Sequence, residues 1–85
     1  MDKVSALLSD PGIEKISSPL NANVWKVVVK EGDKVAAGTE VAILEAMKLE
    51  ISVRVEDGVE GVVEKLLVRP GDVVGSGEAL VLVRK

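Results

Sequence analysis

The chain contains neither cysteine nor histidine. Disulfides, thiolate nucleophiles, imidazole bases and the usual zinc sites are therefore excluded, and the redox compartment stays open. Phe and Tyr are also absent, and Trp25 is the only aromatic residue. Stacking on nucleic acid bases has one ring to work with. A formal net charge of −3 and a pI near 4.9 further disfavour a polyanionic partner. The longest apolar runs, residues 27–29 and 79–83, have strand length, far short of the ~20 residues that a bilayer helix needs. No signal-peptide pattern is visible. The expectations are no nucleic acid partner, no membrane partner and a cytoplasmic location, with an organelle possible if a larger precursor carries a leader.

What is present is valine, isoleucine and leucine punctuated by glycine. At 85 residues the chain is one small domain. Residues 1–12 differ from the rest: Val4, Leu7 and Leu8 fall at helical spacing before Pro11-Gly12 breaks the pattern. This segment is expected to be a linker or frayed helix, with the folded domain over 13–85. From Ile13 onward the composition is that of an all-β fold.

An internal repeat organises the domain. With an offset of 39 residues, VWKVVVKEGDKVAAGTEVAIL (24–44) lies over VEKLLVRPGDVVGSGEALVLV (63–83), with seven identities in 21 positions. Gly32/Gly71, Asp33/Asp72 and Gly38/Gly77 are in register. Each copy reads as strand, Gly-Asp turn, short strand, Gly turn, strand. Neither copy can bury a face alone, so the two pack as small antiparallel sheets related by a pseudo-twofold axis. The predicted fold is a flattened β barrel-sandwich of about eight strands, near 13–17, 24–30, 34–36, 41–45, 49–55, 62–68, 73–75 and 80–84. Trp25 matches Glu64 in the repeat, so it is expected outside the main core, either over the N-terminal segment or as a docking residue.

Between the copies, LEISVRVE (49–56) alternates apolar Leu49, Ile51, Val53 and Val55 with polar Glu50, Ser52, Arg54 and Glu56. It follows VAIL (41–44) so closely that only a tight hairpin fits, with its tip at Met47-Lys48. The tip lacks the Asn-Gly or Asp-Gly that such a turn prefers. A turn that breaks its own local rule is a candidate functional site. Against this stands the plain alternative that a lysine at a hairpin tip is a solvated charge, and that Met47 is incidental.

Glu45-Ala46-Met47-Lys48 resembles the attachment motif of biotinyl domains, the carrier modules of biotin-dependent carboxylases. The resemblance runs almost continuously through SPLNANVWKVVVKEGDKVAAGTEVAILEAMKLEI and includes the glycine positions of the second copy, covering about residues 16–84. It implies covalent biotin on Lys48, with Glu45, Ala46 and Met47 forming the motif that a biotin protein ligase accepts. It also implies biotin carboxylase and carboxyltransferase domains as partners, no metal, and a monomeric, non-catalytic carrier. NVWKV (23–27) resembles the carriers of urea carboxylase and urea amidolyase, which makes that the expected parent. Ala22 stands where the family often has glycine, although its repeat-mate Gly61 is retained. The segment between Lys48 and Gly61 is about two residues longer than in many relatives. The alternatives are a lipoyl carrier, whose lysine typically has acidic and small neighbours, a carrier of another acyl-CoA or pyruvate carboxylase, and an unmodified assembly module. An enzyme in its own right is the weakest reading, since no base, metal site or phosphate cradle can be assembled from these residues.

Overall fold

The computed structural model describes Ala6 and residues 9–85. The helical turns expected around Val4, Leu7 and Leu8 lie outside the described residues. Eight strands follow one another: β1 Ile13–Ser17, β2 Ala22–Val27, β3 Lys34–Val35, β4 Glu40–Ala46, β5 Leu49–Arg54, β6 Gly61–Leu66, β7 Val73–Val74 and β8 Ala79–Arg84. All eight correspond to the segments read from the sequence. The main shifts are at β2 and β6, which begin one or two residues earlier than expected and end two or three residues earlier.

The strands form two antiparallel four-stranded sheets, ordered β1-β8-β6-β3 and β5-β4-β2-β7. The thinnest dimension of the molecule is 18 Å, as expected for two sheets packed about 10 Å apart with side chains on both outer faces. Between them lies a core of aliphatic residues, including Val24, Val41, Leu44, Val63, Leu80, Val81 and Val83. Among the described residues the sole buried polar one is Ser18, whose hydroxyl donates to the Leu20 carbonyl. Among the described residues burial is thus obtained without an unpaired polar side chain, which a core this small tolerates poorly.

The offset of 39 is visible in three dimensions. Irregularities interrupt β2 against β4 between Val24 and Lys26, and β6 against β8 between Val63 and Lys65. Trp25 and Glu64 are the extra residues at these matched bulges, which explains why both leave the core-facing alternation. The short strands are exchanged: β3 of the first copy pairs with β6, and β7 of the second pairs with β2. Gly32 N donates to Val63 O and Val63 N to Asp33 O, while Gly71 N donates to Val24 O and Val24 N to Asp72 O, all at 2.7–2.8 Å. Each two-residue strand is too short to stand alone, so the Gly-Asp turn hands it across to the other copy. This exchange ties the halves together, and the repeat pattern by itself does not reveal it.

Candidate functional site

β4 and β5 pair through Glu45↔Glu50 and Ala46↔Leu49, leaving a two-residue loop of Met47 and Lys48. Their φ angles are 51° and 66°, and among the described residues they are the only non-glycine residues in the left-handed region. Positive φ at both central positions is the type I′ pattern, whose twist matches that of the flanking strands. For L-residues with side chains it costs about 1–2 kcal/mol each relative to the right-handed region. The register of the ladder on both sides enforces the conformation. At its base, Arg54 donates to Gly38 O (3.2 Å) and pairs with Glu40 (3.7 Å), while Gly38 N donates to Val55 O and Val55 N to Thr39 O, both at 2.9 Å.

The ladder outruns the core. Along β5, Val53 is buried, Ile51 half-buried, and Leu49 is 65% exposed although it lies on the inward side. Alternation alone would pack Leu49 inside; it does not pack there, because the last pair before the turn extends past the facing sheet. Met47 is 94% exposed. The tip is therefore a projecting apolar edge of Met47 and Leu49 around the Lys48 ammonium. Glu45 and Glu50 face each other across the strands on the outer side. Among the described residues, neither these carboxylates nor the Lys48 ammonium takes part in a side-chain hydrogen bond or ion pair. The structure thus brings together Glu45, Ala46, Met47 and Lys48 on one exposed hairpin. It adds Leu49 and Glu50, which the alternating pattern marks only as parts of a strand.

This geometry suits covalent attachment. The amine has a long flexible stem, no competing partner and free access from solvent, on a base held by a strained but fully paired turn. A cofactor carrying a carboxyl group fits as an amide on Lys48. Among the described residues, no group of three or more acidic side chains is placed to hold a metal ion. No helix among them is long and apolar enough to cross a membrane.

A sequence model of the family described as "Biotin-requiring enzyme", which covers biotin and lipoyl domains, matches residues 13–83. The chain belongs to this family. Over its full length it is 58% identical to a protein named "Putative urea carboxylase" from Emericella nidulans, of which it spans 7%. It is 42% identical to the "Biotin/lipoyl attachment protein" of Bacillus subtilis over 76% of this chain and 86% of that one. Among solved structures, the Kluyveromyces lactis urea carboxylase matches with a TM-score of 0.79 and 35% identity, over 87% of this chain and 6% of that one. The two features that depart from the family pattern have structural counterparts. Ala22 is buried at the start of β2 with room for its methyl group, and the connection from β5 to β6 is longer than its counterpart from β1 to β2.

Proposed function

We propose that this chain is a biotin carrier, holding biotin in amide linkage on Lys48. The observation that supports this most directly is the placement of the Glu45-Ala46-Met47-Lys48 motif on an exposed turn with Lys48 unpaired at its tip. Biotin, when attached, supplies a ureido group able to carry a carboxyl unit; the protein supplies reach and position. A rigid hairpin with one flexible stem keeps the cofactor at an effective concentration on the order of millimolar near each partner site. Glu45, Ala46 and Met47 are the residues read by a biotin protein ligase. The partners are a biotin carboxylase site and a carboxyltransferase site of a larger carboxylase, of the urea carboxylase type suggested by the 58% identity. The domain itself contributes no catalytic group, which makes it the non-catalytic carrier part of a ligase-class enzyme.

Co-expression with a biotin protein ligase, followed by intact-mass measurement and peptide mapping, tests this. One biotin is expected on Lys48 and none in Lys48→Arg. Label on Lys26, Lys34 or Lys65, or lipoyl in place of biotin, would overturn the reading. Exchanging Met47 and Lys48 is expected to abolish labelling without unfolding, because the two turn positions aim their side chains differently.

A further inference from the structure

The pseudo-twofold relation supplies an internal control for the two outer faces. On the β1-β8-β6-β3 sheet, register places Leu82 on the outer face between Lys15 and Lys65, yet Leu82 is fully buried. At the end of that face, Arg84 is held by Glu64 (2.6 Å) and by Asp10 (3.4 Å), a carboxylate from the segment preceding β1. The Gly12 carbonyl then accepts a hydrogen bond from Lys85 N at 2.9 Å. Around Leu82 and Arg84 this face is closed by the chain itself, while Val62 at its β6-β3 side stays 38% exposed.

The matching face of the β5-β4-β2-β7 sheet is open. Ile43, the mate of Leu82, lies between Ser52 and Lys26 and is only half-buried. Trp25 is 51% exposed and Val73 76% exposed, with Asn23 paired to both Val73 and Glu45. The charge pattern at its end differs from that around Arg84: Glu45 stands in the place of Arg84, and the neutral Trp25 in the place of Glu64. Glu45 also faces Glu50 directly, a like-charge pair that destabilises a ladder unless a cation lies between the two. Lys26 follows Trp25 along β2, pairs with Ile43 and so lies away from those two carboxylates.

We propose that this open face docks a protein surface presenting an arginine beside an aliphatic side chain, on another domain of the polypeptide in which this chain acts; the identity of that polypeptide rests on the carrier reading above. Arginine fits better than lysine because its planar fork bridges two carboxylates and its face stacks on the indole of Trp25. The aliphatic neighbour covers Ile43 and Val73. A half-exposed tryptophan with Glu45 diagonally across the β2-β4 ladder has the composition of an interface anchor.

The test uses the full-length protein, with a benzoylphenylalanine photo-crosslinker at position 73, and at position 62 on the outer face of the other sheet as control. Crosslinks from 73 are expected to map to an arginine-containing segment of another domain and to vanish with Glu50→Lys; those from 62 are not. The same crosslink in Lys48→Arg, where no biotin can attach, separates this proposal from the carrier reading. Trp25→Ala should lower overall turnover about tenfold or more, with labelling of Lys48 and melting temperature unchanged. If Trp25→Ala unfolds, Val73→Ser carries the same expectation with a smaller loss. Equal crosslinking from 73 and 62, crosslinks only to a biotin ligase or to a second copy, or unaltered turnover in a folded variant would overturn it.

Discussion

The two ends of the sandwich are built from matched residues but do opposite things with them. At one end β8 ends in Arg84, which is tied to Glu64 and Asp10, and Lys85 pairs with Glu14 at 3.6 Å. The hydrogen bond to Glu64 and the neighbouring carboxylates raise the Arg84 pKa above its ordinary value, in keeping with the ion pairs that hold it. At the other end β4 continues past Glu45 into the strained turn, and Glu45, Lys48 and Glu50 are left without ion-pair partners among the described residues. The first end consumes its charged groups internally, and the second leaves them exposed to solvent. What the copies share, namely the bulges, the Gly-Asp turns and the exchanged strands, holds the fold. What they do not share marks the site.

Gly61 and Ala22 break the comparison most sharply. The carbonyl of Arg84 occupies the place that a Cβ on Gly61 would need, since the end of β8 crosses directly over it. At the mate, β4 runs straight out toward the tip and leaves space for the buried methyl of Ala22. Gly61→Ala is therefore expected to cost about 3 kcal/mol, because a backbone neighbour cannot swing aside. Ala22→Gly should cost only about 0.5–1 kcal/mol. Thermal melts of the two variants check this; equal losses would mean that the two ends do not differ in packing as described.

The matched turns should respond alike. Gly32 and Gly71 have φ of 95° and 97°, and a Cβ on either would meet nothing within 4 Å. The cost of Gly32→Val or Gly71→Val is then conformational alone, roughly 1–3 kcal/mol and similar at both. Denaturant unfolding should show this, with labelling of Lys48 lost only as the domain melts. Below that in size come Asp33→Ala and Asp72→Ala. Each removes a carboxylate that accepts from the backbone N–H three residues earlier, Lys30 and Arg69, at 2.8 Å. A loss of about 1 kcal/mol is expected at each. A marked difference between the two would show that the symmetry is nominal.

How much of this is legible in the sequence depends on the kind of force involved. Alternation and glycine punctuation are local, so all eight strands and the hairpin tip can be read from the residues alone. The repeat places Trp25 outside the core because a bulge displaces it and Glu64 in the same way. The exchange of β3 and β7 is not legible, because two residues carry no periodicity and their partners are distant in sequence. Leu49 reads as interior but is exposed, because alternation reports which side a residue faces, not whether the opposite sheet extends that far. The attachment motif is recognisable as a string, whereas its strain lies in the φ angles of Met47 and Lys48, which no residue letter encodes.

The smallest expected effect concerns that strain. Asparagine tolerates the left-handed region better than methionine, so Met47→Asn should relax the first turn position and raise stability by about 0.5 kcal/mol. No contact opposes the change, since the Met47 side chain is almost wholly exposed. If methionine were kept for the fold, this substitution would be neutral or harmful to stability and harmless to labelling. If it is kept for recognition by the ligase, the melting temperature rises slightly while the rate of biotin attachment at Lys48 falls. Labelling kinetics with a purified ligase, taken beside a thermal melt of the same sample, distinguish these outcomes. A variant that gains stability and labels at the full rate would remove Met47 from the recognition motif, and leave the turn strain at that position without a functional reason.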